Sequence, residues 1–121
     1  MRENEIKSVL ADLNNGSASI EASALISTDG LILASALPEA MDEDRVAALV
    51  AAMLSLGDRT AAELACGQLE QVLVSGSHGH ILIVHAGTEA VLCVIANRSA
   101  KLGLLFLNAK YTAQAVATLL H

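Results

Sequence analysis

Apolar and polar positions alternate along the chain with two different periods, and the change of period divides it into elements. From Arg2 to Leu13, Ile6, Val9, Leu10 and Leu13 fall at i, i+3, i+4 and i+7, the spacing of a short amphipathic helix. Asn14-Asn15-Gly16 follows, and these residues tolerate the left-handed backbone that stops a helix. Ser19 to Ser27 and the LILASA run at Leu31 to Ala36 flank Thr28-Asp29-Gly30, which predicts a β-hairpin, because the tight turn needs positive φ where glycine is unstrained. A long helical period then runs from Asp42 to Leu64, with Asp42 placed to cap it, and ends at Cys66-Gly67. Gln68 to Val74, the turn Gly76-Ser77-His78-Gly79 and His80 to His85 predict a second hairpin, and Ala90 to Ala96 returns as a further strand. Leu73, Ile81, Ile83, Leu92 and Val94 are the expected core positions of these strands. Leu102 to Leu120 closes the chain as a helix with Leu105, Val116 and Leu120 inward and a cap near Asn97 or Ser99, although LGLLFL could also extend a strand. Hairpins dominate the connections, so the order helix, two strands, helix, three strands, helix predicts an α+β domain, an antiparallel sheet with helices on its faces, in a single domain over 1–121.

The stretch from Asp42 to Leu64 is the one around which the rest is arranged. At 100° per residue, Val46, Leu49, Val50, Met53, Leu56, Thr60 and Leu64 share one face, expected against the core. The opposite side carries Ala47, Ala48, Ala51, Ser55, Ala61 and Ala62, where a water-facing helix would carry charge. Small side chains let another helix approach closely, so this back is expected to meet a partner, unless alanine is there only as the best helix former.

Composition adds three constraints. Hydrophobic residues make up 54% of the 121, a surplus that points to a contact surface. No run reaches the ~20 apolar residues of a membrane span, and MRENEIKSVL lacks the apolar segment of a signal peptide, so the cytoplasm is the expected location. A net charge of −6, with seven Lys and Arg scattered and two aromatic residues (Phe106, Tyr111), argues against nucleic acid as a partner.

Candidate chemistry is sparse. His78 and His80 could place two imidazoles on one side of a strand, but His85 has the opposite parity and the cysteines lie far off, so no metal is expected; His121, at the chain end, is expected to fray. Cys66 and Cys93 sit in apolar settings and are expected as buried free thiols. Asp42 with Asp44, and Glu63 with Glu70, read as capping and solvated surface, with no pocket to support acid–base work. Neither GxxxxGK[ST] nor GxSxG is present, so no cofactor, nucleotide cradle or hydrolase elbow is expected.

The segments TDGLILAS, LPEAMDEDRVAALVAAMLSLGDRTAAEL, EQVLVSGSHGHILIVHAG and VLCVIANRSAKLGLL, in that order, resemble the Roadblock dynein light chain superfamily, and most of all its bacterial MglB-like branch, from about Ile20 to Leu120. The resemblance implies a profilin-like fold and a homodimer in which the edge strand after the long helix joins its twin and the two long helices lie side by side. That places Ala47, Ala51, Ser55 and Ala62 of the helix, with Gln68, Glu70, Val72 and Val74 of the strand, at the expected dimer interface. The strand carries one charge and no lysine or proline to guard an open edge. The resemblance also implies a non-catalytic regulator or scaffold for a Ras-like small GTPase, with Glu43, Asp44, Arg45, Ser55 and Arg59 facing the GTPase. A passive adaptor of a motor or signalling assembly and a small-ligand sensor domain are the other functions compatible with this kind of fold.

Overall fold

A computed structural model describes residues 2–120, in the order α1 (Arg2–Asn15), β1 (Ile20–Ser27), β2 (Ile32–Ala36), α2 (Glu43–Glu63), β3 (Gln71–Ser75), β4 (Gly79–His85), β5 (Ala90–Asn97) and α3 (Leu102–Leu119). The expected element order is the observed one. The five strands form one sheet in the order β2-β1-β5-β4-β3, antiparallel at every pairing, so β2 and β3 are its edges. The β1–β2 turn is closed by Gly30 at φ 94° and by the Gly30 N–H donating to the Ser27 carbonyl at 3.0 Å.

Two helices cover one face of the sheet and a single helix the other. On the first face, α1 packs on β1 and β2, and α3 packs on β4 and β5. Leu10, Leu25, Leu82, Leu92, Val94, Leu105 and Val116 close that core. The buried Ser23 hydroxyl of β1 donates to Asn14 Oδ1 at 2.7 Å, and Asn14 Nδ2 donates to the Ala36 carbonyl at 2.9 Å, tying α1 to both strands under it. On the second face, α2 crosses β1, β2 and β3, with Ala47, Val50 and Leu54 over Ala24, Ile26, Ile83, Val91 and Cys93.

The capping residues decide where α2 lies. Asp42 Oδ1 accepts from the N–H groups of Asp44 (3.0 Å) and Arg45 (3.4 Å), and Glu43 Oε2 accepts from the Ser35 hydroxyl at 2.5 Å, which fixes the start of the helix to β2. At the other end a Cβ on Gly57 would lie 3.0 Å from a Leu69 methyl and 3.1 Å from Val72, so the bare backbone lets α2 come close to β3.

Several expectations are corrected. β3 begins at Gln71, so Gln68 and Glu70 lie in the connection before it, outside the strand. Leu73 and Ile81 are half-buried: Leu73 lies on the edge strand β3, on the α1/α3 face, and Ile81 lies at the margin of the core under α2. Leu102 opens a helix and LGLLFL is not a strand; its cap position is Lys101, with no side-chain cap, while Asn97 Oδ1 is used by the turn before it, accepting from Ser99 N–H at 3.0 Å. Cys66 is exposed, in the loop that stops α2. His121 lies outside the described residues.

Candidate interaction surface

The faces of α2 are distributed differently from the helical-wheel expectation. Ala47, assigned to the outer back, is 1% exposed and touches the sheet, and Ala51 is half-buried with its Cβ 3.4 Å from where a Cβ on Gly30 would sit. Leu49, Leu56 and Leu64, expected inward, are 55%, 66% and 71% exposed, and Leu54 takes the core position instead. The reason is steric. The strand beneath carries Ala22 and Ala24, both fully buried, so the helix settles with its small residues down and comes close to the sheet. Ala47 therefore drops out of any intermolecular interface of this domain, while Ser55 and Ala62 remain exposed.

The two flanks of α2 differ. Ala51 meets the β1–β2 turn, and Asp58 and Ala62 line a cavity with His85, Gly87 and Thr88, so this flank faces the sheet end bearing the β1–β2 and β4–β5 turns. The opposite flank, with Val46, Leu49, Met53 and Leu56, faces the other end. There Val74 of β3, Ile81 of β4 and Ile95 of β5 stand side by side in register across three strands, on the same face as α2. Val74 is 39% exposed, and Ile81 and Ile95 are half-buried. Val46 and Met53 of the helix pack with Ile81 and Ile95 at the margin of the α2 core, an apolar margin beside which Leu49 and Leu56 are left exposed on the helix. It runs out to the open edge of β3, where Val72 and Val74 point to this face and backbone groups lack a strand neighbour.

Around this surface the charged residues singled out earlier are all exposed. Glu43 and Asp44 occupy the first turn of α2, Arg45 follows, and Arg59 Nε donates to Glu63 Oε1 at 3.1 Å. Both residues of that i,i+4 pair are mostly solvated, so it contributes a few tenths of a kcal/mol (about 0.3–0.5) and leaves Arg59 easily recruited.

The other candidates stay apart. Ser75 Oγ and His80 Nδ1 form a cross-strand hydrogen bond at 2.8 Å on the exposed β3–β4 hairpin, and among the described residues no three His, Cys, Asp or Glu converge as metal ligands. Burial pushes the Cys93 thiol up to about 12, which keeps it protonated and inert. Among the described residues no helix is long and apolar enough to cross a membrane.

The Roadblock/LC7 domain family model matches residues 6–96, and this chain belongs to that family. An uncharacterised protein of Methanocaldococcus jannaschii is 38% identical over 111 residues, covering 92% of this chain and 96% of that one. The gliding protein MglB of Thermus thermophilus superposes with a TM-score of 0.87 at 22% identity, over 98% of this chain and 90% of that one. Profilin II of Acanthamoeba castellanii superposes with a TM-score of 0.63 at 14% identity, over 93% and 96%. These last two likenesses are of fold: a profilin-like Roadblock domain with a five-stranded antiparallel sheet and helices on both faces.

Proposed function

We propose that this Roadblock/LC7 chain works in the cytoplasm as a homodimeric, non-catalytic regulator or scaffold for a Ras-like small GTPase. The observation that carries the reading is the set of exposed and half-buried apolar residues on the α2 face, Leu49, Met53, Leu56, Val74, Ile81 and Ile95, together with the open edge of β3. A two-fold axis perpendicular to the sheet pairs β3 with its twin antiparallel and sets the second α2 over this surface. The interface lies on the leucine flank of α2 with Val72 and Val74, in place of the Ala47 and Ala51 side, and buries ~1,200–2,000 Å² in total. The joined α2 helices then present Glu43, Asp44, Arg45, Ser55 and Arg59 outward for the GTPase.

The experiment is a pull-down from native cells followed by binding kinetics with the small GTPase recovered. Charge reversal at Arg45 and Arg59 lowers the association rate by about tenfold while leaving the dimer mass unchanged. Unaltered association in the double variant removes this surface from GTPase recognition, and recovery of structural proteins alone favours a passive adaptor.

A further inference from the structure

Asn14-Asn15-Gly16 closes α1 without the left-handed turn that its residues tolerate, since none of the three has positive φ. Glycine answers a need for space instead: a Cβ on Gly16 would lie 3.1 Å from the Asp12 carbonyl oxygen and 3.6 Å from that of Leu13. The two asparagines before it differ. Asn14 is half-buried, and both ends of its amide are engaged, with the Ser23 hydroxyl and the Ala36 carbonyl. Asn15 is exposed, and it is the one asparagine of the sequence that glycine follows. With no side chain on Gly16, nothing on that residue shields its peptide nitrogen from the Asn15 amide.

We propose that Asn15 is a site of spontaneous deamidation, gated by the last turn of α1, and that its conversion loosens α1 from the sheet. The Gly16 nitrogen attacks Cγ of Asn15, forming an N–Cγ bond as the Cγ–Nδ2 bond breaks. The amide nitrogen leaves as ammonia with the proton of the Gly16 N–H, and a cyclic imide remains. Water then opens the ring, giving aspartate where the new N–Cγ bond breaks and isoaspartate where the original peptide bond breaks. The sum is amide plus water to carboxylic acid plus ammonia, with no change of oxidation state. In the folded chain the attacking nitrogen is held back along the helix, its N–H donating to the Asp12 carbonyl at 2.9 Å and to that of Leu13 at 3.3 Å. These bonds close the final turn, with no further turn to hold them, so fraying of that turn sets the rate.

Both products act on α1. Each puts a carboxylate on the last residue of the helix, the end at which the macrodipole disfavours negative charge, and α1 has no basic residue in its last turn to offset it. The exposed carboxylate of Asp12 lies one turn back and adds like-charge repulsion. Isoaspartate also lengthens the main chain by a methylene next to Asn14, whose hydrogen bonds tie α1 to β1 and β2. A shifted Asn14 leaves the buried Ser23 hydroxyl without that partner.

The test ages the full chain at mildly alkaline pH, folded and in urea, and follows intact mass, released ammonia and a peptide map that separates aspartate from isoaspartate. A gain of about 1 Da at Asn15, at least about tenfold faster in urea than in the folded chain and lost in Asn15→Gln, supports the proposal. A folded chain that gains no mass at Asn15 while the unfolded chain does overturns it, as does a gain confined to other asparagines. Equal rates in the two conditions overturn the gating by α1. The aged fraction, separated by its extra negative charge, is expected to unfold at a lower urea midpoint than fresh protein and to exchange the amide hydrogens of α1 faster. Asn15→Asp, which carries the charge without the longer main chain, gives the smaller shift. An aged fraction with the midpoint and α1 exchange of fresh protein overturns the loosening of α1.

Discussion

The two faces of the sheet are built from the same strands but finished to different degrees. On the α1/α3 face, Leu10, Leu25, Leu82, Leu92, Val94 and Val116 are sealed beneath two helices. On the α2 face a single helix crosses the strands, and Leu49 and Leu56 stand 55% and 66% exposed beside a half-buried row of the sheet. A sheet of five strands is wider than one helix can roof, since a helix spans about 10 Å and each strand takes about 4.8 Å. The first face meets that width with two helices from its own chain. The second is one helix short, and in the proposed dimer a second copy of α2 fills it. The proposed dimer thus accounts for the excess of apolar residues in a domain of this size.

Two residues on α2, two positions apart, separate the contributions most sharply. Ala47→Glu buries a carboxylate without a partner against Ala24 and Cys93, at a cost of about 3–5 kcal/mol, enough to unfold much of the protein. Leu49→Glu leaves the fold intact, because the side chain is outside its own core. In the proposed dimer the substitution occurs twice, and at about 2 kcal/mol per copy it weakens association roughly a thousandfold. Circular dichroism with light scattering reads both, giving loss of ellipticity for the first variant and a folded monomer for the second. A Leu49→Glu protein that remains dimeric at low micromolar concentration moves the seam off this flank.

A chemical probe of the thinner face gives the next effect in size. Cys93 lies on β5 under α2, and Cys66 lies exposed beyond its end. A thiol reagent at pH 8 modifies Cys66 at once and Cys93 only when α2 lifts, because burial holds the Cys93 thiol protonated up to about 12. Dissociating the dimer with Leu49→Glu removes the second helix and speeds Cys93 labelling by about tenfold. The same shift gives a sign for pH: the unfolded thiol ionises from its ordinary value of 9.0 and the folded one only near 12, so raising pH through that window favours the unfolded chain. Labelling of Cys93 as fast as Cys66 in the wild type shows that α2 does not protect it.

Much of this was legible in the sequence, for identifiable reasons. The Thr28-Asp29-Gly30 turn, the Asp42 cap and the spacing of Ile6, Leu10 and Leu13 are local signals, set by φ preferences and helical pitch, and each appears where the residues place it. The orientation of α2 was not legible, because both its sides are apolar and periodicity alone cannot tell a core from a seam. The deciding fact lies elsewhere in the chain: Ala22 and Ala24 of β1 leave room for the helix to approach with Ala47 down, and this pushes Leu49 and Leu56 outward.

The smallest effect concerns how the lone helix of the thinner face is stopped. The Ala65 N–H donates to the Ala62 carbonyl at 3.2 Å and the Cys66 N–H to the Ala61 carbonyl at 2.8 Å, the paired bonds of a Schellman stop. That motif needs its turning residue in the left-handed region, and the residue here is an alanine at φ 60°, the one non-glycine with positive φ among the described residues. An L-residue there costs about 1–2 kcal/mol that glycine avoids. Glycine in turn gives back about 0.4–1 kcal/mol through the freer unfolded chain. The difference predicts that Ala65→Gly stabilises the protein by about 0.5–1 kcal/mol, measured as a shift in urea midpoint at unchanged slope. The reciprocal substitution is two residues further on, where Gly67 sits at φ 85° with no atom within 4 Å of an added Cβ. Gly67→Ala therefore costs stability through backbone conformation alone, by about 1 kcal/mol. If Ala65→Gly leaves the midpoint unchanged or lowers it, the stop of α2 holds no strain, and the weakness of this face lies entirely in the surface it leaves for a partner.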